Sequence, residues 1–108
     1  MKTYYLYILE CVNHSYYIGY TTDLQRRYQA HSEGRAAKYT RSFPPLRIAA
    51  SWSIECTLSE IFQTESYLKK HTRATKSTWV DNPDSLVVAI RQWKSHLDMR
   101  VCQPASLK

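Results

Sequence analysis

Three groups of side chains have types and spacings that suit chemistry better than packing. The first is Glu65. In the segment that starts near residue 58, Leu58, Ile61, Phe62 and Leu68 recur at helical steps, and Glu65 falls on the same stripe. A carboxylate there is costly to bury unless it is paired, hydrogen-bonded or bound to a metal. It either sits at the rim of the stripe, paired with Lys69 four residues on, or acts as a ligand. The second group is Arg27 and His31, again four apart, on one helix face beside Leu24 and Tyr28. An arginine fork suits phosphate oxygens, and a nearby histidine can donate, accept or shuttle a proton. The same two residues also suit the solvated side of an amphipathic helix. The third group is the tyrosines. There are nine Tyr against two Phe, and Tyr4, Tyr5, Tyr7, Tyr16, Tyr17 and Tyr20 all lie in the first 20 residues. Phe would supply the same bulk, whereas each Tyr carries a hydroxyl that needs a partner.

Other chemistries lack support. Gly19 and Gly34 are the only glycines, so there is no glycine-rich phosphate loop. His14, His31, His71 and His96 show no metal-ligand spacing, and no pair of carboxylates marks a glycosidase. Cys11, Cys56 and Cys102 are odd in number and far apart, which argues against a disulfide scaffold or a zinc site and suits a reducing compartment. The first residues lack a signal-peptide pattern, and no run approaches 18 apolar residues. A cytoplasmic protein is expected.

The elements that must position these groups follow from periodicity and turn chemistry. Thr3–Cys11 and Tyr16–Tyr20 read as two strands of a hairpin around Val12-Asn13-His14-Ser15. Side chains alternate along a strand, so Tyr5 and Tyr7 share one face, as do Tyr17 and Gly19. The two sets meet on one side if, for example, Leu9 lies opposite Tyr17. That register puts Tyr7 opposite Gly19, where a missing side chain leaves room for the phenol. A short cationic helix over 24–31 follows N-cap candidates at residues 21–23, with Gly34 as its stop. Residues 35–45, basic and ending in two prolines, read as an exposed loop. A third strand over 46–55 precedes a helix from Thr57 or Ser59 to about His71, then a helical turn or two over 73–80. A last helix runs from Ser85 to about Leu97, with Leu86, Ile90, Trp93 and Leu97 as its stripe. Residues 98–108 show no pattern. The expected architecture is α+β, ββαβαα with an extra C-terminal helix. A small three-stranded, mainly antiparallel sheet is flanked by helices, in a chain sized for a single domain.

Charge narrows the partners. The chain has 15 Lys+Arg, 9 Asp+Glu and a net charge of +6. Residues 26–76 hold ten basic and four acidic side chains, and the other 57 residues hold five of each. The whole excess is therefore central, a footprint for a polyanion such as nucleic acid.

Together these residues resemble the GIY-YIG endonuclease superfamily, in particular its small single-domain bacterial branch. Tyr5-Leu6-Tyr7 is similar to the first signature strand, with Tyr5 where the name-giving glycine would stand, and Tyr17-Ile18-Gly19 matches the second. Arg27, His31 and Glu65 fall on the family's helical arginine, histidine and metal-binding glutamate. Lys38-Tyr39-Thr40-Arg41 with Pro44-Pro45, and Arg73 with Lys76, also resemble that branch. The likeness spans roughly residues 3–80, taken as the nuclease-like domain, with 81–108 packed on it as a C-terminal helix and tail. Tyr20 stands where several nucleases place a lysine, and no counterpart of the downstream asparagine is found.

The resemblance implies hydrolysis of a DNA phosphodiester with one divalent metal, Mg²⁺ or Mn²⁺, on Glu65. Arg27 would hold the scissile phosphate, His31 would assist proton traffic or orient a phenol, and Tyr7 or Tyr17 would take a proton from water. The choice between the two tyrosines is open. Lys38, Arg41, Lys69, Lys70, Arg73 and Lys76 would contact backbone phosphates, with Tyr39 as a stacking platform. The small size favours single-stranded or structured DNA over a long duplex. A DNA-binding module of the same fold with weak or no catalysis is the alternative. A third reading pairs two copies, or a partner, through the stripe at 86–97.

Overall fold

The computed structural model describes residues 1–102. In chain order the elements are β1 (Lys2–Cys11), β2 (Tyr16–Thr21), α1 (Leu24–Ser32), α2 (Lys38–Ser42), β3 (Pro45–Cys56), α3 (Leu58–Lys69), α4 (Arg73–Asp81), α5 (Asp84–Trp93) and β4 (Asp98–Val101). The protein is α+β. Its sheet is antiparallel in the order β2-β1-β3-β4 and flanked by helices.

Local chemistry sets the helix starts. Asp23 caps α1 by accepting from the Arg26 amide at 3.1 Å. Thr57 and Glu60 form a reciprocal capping box at α3, and Thr72 caps α4. Gly34 takes a φ of 75° after α1, a left-handed turn that glycine adopts without steric cost.

Period-two alternation divides β1 between two clusters. Leu6 and Ile8 join Trp52, Ile54, Ile61, Leu68, Leu86 and Ile90 in the main apolar core. Tyr7, Leu9 and Cys11 face the other way and pack with Leu24 of α1, against partly buried Tyr5, Tyr17 and Tyr28. The helices α3, α4 and α5 therefore cover one face, and α1 covers the other.

Four expectations need correction. The sheet has four strands instead of three, because Asp98–Val101 pairs along β3 from Trp52↔Val101 to Glu55↔Asp98. With only four residues, this strand is too short for its alternation to stand out in the sequence. Residues 103–108, the rest of the segment expected to lack pattern, lie outside the described residues. Within the expected loop at 35–45, Lys38–Ser42 forms a short helix that lacks a side-chain cap. Leu58 and Phe62 are exposed, and the buried side of α3 is Ile61, Thr64 and Leu68. Finally, Leu86, Ile90 and Leu97 are spent in this chain's own core, leaving only the half-exposed Trp93 of that stripe for an outside partner.

Candidate active site

The hairpin register is Tyr5↔Thr21, Tyr7↔Gly19 and Leu9↔Tyr17. Tyr7 lies across Gly19 so closely that a Cβ there would sit 2.5 Å from the phenol oxygen. Glycine is required at this position for space, and Tyr7 is thereby held flat on the sheet. The last turn of α1 brings His31 over the same face. Its ring lies edge-on to Tyr7 at 5.6 Å and to Tyr17 at 5.1 Å.

A buried polar chain runs through this cluster. The Tyr7 hydroxyl is 2.8 Å from His31 Nε2, and His31 Nδ1 is 2.7 Å from Thr40 Oγ1. Thr40 Oγ1 also donates to the Ala37 carbonyl at 3.3 Å. Tyr7, His31 and Thr40 are 2%, 1% and 0% exposed, so all three are shut off from bulk water. The sequence gives no sign of this role for Thr40, because its segment lacks helical periodicity and reads as a loop. A threonine in a basic stretch gives no signal that it is buried.

Electrostatics tie Arg27 and Glu65 to the same cluster. Burial pushes the Tyr7 phenol well above its ordinary range, and Tyr17 and Glu65 push it the same way, while Arg27 pulls it down. Tyr17 is raised by burial and then by Glu65, again with Arg27 opposing. Burial, aided by Arg27, lowers His31 to about 4, so the imidazole is neutral near pH 7 and carries one ring proton. Arg27 itself is exposed and forms no ion pair among the described residues. The Glu65 side chain is 15% exposed and pairs with Lys69 Nζ at 3.4 Å. The pairing with Lys69 expected of a residue at the rim of the stripe is therefore present.

The surrounding cations are distributed unevenly. A groove of about 310 Å³ is lined by Tyr16, Tyr17, Ile18, Tyr39, Lys69 and Lys76. Because consecutive β2 residues line it, the groove runs along the outer edge of that strand, which no other strand among the described residues pairs with. Tyr39 stacks on Tyr17 at 6.1 Å and tilts against Phe43 at 5.3 Å. The Arg73 guanidinium lies 4.2 Å above the Tyr16 ring. Lys38 and Arg41 are exposed on α2, and exposed Lys70 caps the end of α3. A second groove of about 340 Å³ holds Arg27 together with Thr22, Arg26 and Arg35. Arg26 and Arg35 were not singled out from the sequence, where the central charge excess was their only trace.

The GIY-YIG catalytic domain model matches residues 3–78. The chain belongs to the GIY-YIG family. This is a nuclease family, which implies a nucleic-acid substrate. A UPF0213 protein of Xanthomonas campestris pv. campestris is 46% identical over 81 residues, covering 73% of this chain and 76% of that protein. The UPF0213 protein BH0048 of Halalkalibacterium halodurans is 42% identical over 76 residues, covering 70% and 80%. The solution NMR structure of the UPF0213 protein BH0048 from Bacillus halodurans is 40% identical with a TM-score of 0.46, covering 73% and 83%. In this GIY-YIG chain, no helix among the described residues is long and apolar enough to cross a membrane.

The donor set also bears on a metal. No group of three or more His, Cys, Asp or Glu side chains that could hold an ion occurs among the described residues. A lone carboxylate fits a hard cation that keeps most of its waters, as Mg²⁺ does. It does not fit zinc, which wants a closed set of nitrogen and sulfur ligands.

Proposed function

We propose that the protein is a divalent-metal-dependent endonuclease that hydrolyses DNA phosphodiester bonds, on single-stranded or structured DNA. The observation that carries this reading is the packing of His31 against both Tyr7 and Tyr17, with Arg27 and Glu65 near enough to act on both phenols. Glu65 is the metal ligand. Mg²⁺, or Mn²⁺, bound there supplies positive charge to the phosphate and makes water easier to deprotonate.

The chain's own residues do the rest. Arg27 grips the scissile phosphate and offsets charge that builds in the transition state. Tyr7 or Tyr17 accepts the proton of the attacking water. Both phenols are raised, so a base role at neutral pH needs the opposing influence of Arg27 and neutralisation of Glu65. His31, neutral, orients Tyr7. Lys38, Arg41, Lys69, Lys70, Arg73 and Lys76 contact backbone phosphates, joined by Arg26 and Arg35 beside Arg27. Tyr39 presents an aromatic surface at the groove beside Tyr17. The chain works as a monomer, with residues 81–102 part of the same unit as 1–80, in a cytoplasmic setting that keeps Cys11, Cys56 and Cys102 as thiols.

The test is incubation with Mg²⁺ or Mn²⁺ and labelled single-stranded, duplex and forked DNA, beside the Glu65→Ala variant. Cleavage that depends on metal and disappears in the variant, while salt-sensitive binding persists, is the expected result. Full cleavage by Glu65→Ala would remove the metal role. Binding without cleavage by the wild type would favour the alternative, a binding module of this fold, for which the Lys69–Glu65 ion pair is the supporting observation.

A further inference from the structure

We propose that Thr40 is a positioning residue that holds His31 in the tautomer protonated on Nδ1, leaving Nε2 bare to accept the Tyr7 hydroxyl. The inference rests on the nuclease reading for its catalytic consequence, but its structural content stands apart from that reading.

One assignment of protons uses every contact in the chain. A threonine hydroxyl has one proton to give, and the Ala37 carbonyl can only accept. In that assignment the contact from Thr40 Oγ1 to the Ala37 carbonyl at 3.3 Å uses that proton, beside the Arg41 amide that donates to the same carbonyl at 3.1 Å. The remaining contact of Thr40, at 2.7 Å to His31 Nδ1, is then donated by the imidazole. A neutral ring has a single proton, so Nε2 carries a lone pair, and at 2.8 Å it accepts the Tyr7 O–H. The outcome is one directed chain, Tyr7 to His31 to Thr40 to Ala37, in which every buried group is satisfied. No buried side-chain nitrogen or oxygen among the described residues lacks a partner.

The direction matters for the phenol. With its proton committed to Nε2, Tyr7 keeps its lone pairs free to accept from another donor. In the opposite tautomer, Nε2–H would occupy a Tyr7 lone pair and leave the phenolic proton to be donated elsewhere. Thr40 is well placed to impose the choice because its helix is pinned from outside. The Tyr39 hydroxyl accepts from Asn13 Nδ2 at 3.1 Å and also bonds Ser15 Oγ. The Val12 amide donates to the Pro44 carbonyl at 2.9 Å. The β1–β2 turn thus clamps α2 on both sides of Thr40.

Two measurements decide the matter. The first is long-range ¹H–¹⁵N NMR on the wild type with ¹⁵N-labelled histidine, which reads the tautomer directly. An Nδ1–H signature for His31 is expected, and an Nε2–H signature overturns the proposal whether or not the protein cleaves DNA. The second compares Thr40→Val, which keeps the shape without the acceptor, with Thr40→Ser, which keeps it. Thr40→Val should lose about tenfold or more in kcat with KM little changed, and Thr40→Ser should stay near wild type. Wild-type kcat in Thr40→Val overturns the proposal. If Thr40→Val does not fold, the NMR result on the wild type still decides. A wild type that cleaves no DNA sinks the nuclease reading alone.

Discussion

The two faces of β1 belong to the same ten residues yet serve opposite ends. On one face Leu6 and Ile8 enter a cluster of 16 buried residues that α3, α4, α5, β3 and β4 complete. On the other, Tyr7, Leu9 and Cys11 share a cluster of only four with Leu24. The large face has the apolar area to hold the fold together. The small one is too thin to do so, and its buried volume is shared with a polar chain that must be satisfied bond by bond. The main apolar packing and the Tyr7–His31–Thr40 polar chain thus lie a strand's thickness apart, with Glu65 joining from α3 on the large side, and a change in either cluster should leave the other largely intact.

The largest test of that separation is paired. Arg27→Ala should lower cleavage by about 10²–10³-fold, as loss of one transition-state charge partner does, with no fall in melting temperature, since the side chain is exposed. Leu6→Ala should do the reverse, costing about 2–5 kcal/mol in urea unfolding while the molecules that remain folded cleave normally. A large stability loss in Arg27→Ala, or inactive but stable Leu6→Ala, would break the distinction.

Gly19→Ala probes the boundary. The added methyl would meet the Tyr7 hydroxyl at 2.5 Å and push the phenol off His31, so activity should fall and stability drop by about 1–3 kcal/mol. Pairing it with Tyr7→Phe, which removes the oxygen that is met first, should recover part of the stability and none of the activity.

The smallest effect is in acid. His31 has a folded value of about 4 against an ordinary 6.5, so between those values the unfolded chain binds a proton that the folded chain does not. Stability therefore rises with pH across that window and is lost on acidifying through it. Glu60 on the opposite face is held at about 2 against an ordinary 4.5, first by the Thr57 amide and then by His96. Its contribution is present above 4.5 and lost as pH falls toward 2. Urea unfolding at several pH values should show both windows. His31→Gln should flatten only the upper one, and a variant that left it unchanged would assign that window to another group.

Much of this arrangement was legible in the residues. The alternation of Tyr5, Tyr7, Tyr17 and Gly19 limits the hairpin to registers of one parity, because a one-residue slip would send every side chain to the wrong face, and the pairing of Leu9 with Tyr17 is one of these. The cap candidates at Asp23 and Thr57 marked their helices for a local reason too, whereas the Thr72 cap shows only in the structure. What escaped depends on contacts distant in sequence. Asp98–Val101 becomes a strand because β3 offers it an edge, and Lys38–Ser42 becomes helical where the hairpin turn holds it. Thr40 acquires its role only from that placement. Leu58 and Phe62 misled because spacing locates a stripe but does not say which side of it faces inward, and here Ile61, Thr64 and Leu68 do.

The free edge of β2 carries one more consequence. A strand with unpaired amides and carbonyls is a template for a second copy of itself, and such edges drive self-association and fibre growth. Here the exposed Lys69 and half-buried Lys76 stand along that edge, in the groove beside Tyr16 and Ile18. Two like copies brought edge to edge would bring these cations together, so the charges suited to a nucleic-acid strand also repel a protein one. Replacing both lysines with neutral residues to weaken DNA contact would therefore also remove a barrier to aggregation. Replacing them with glutamate would weaken DNA contact and keep the repulsion.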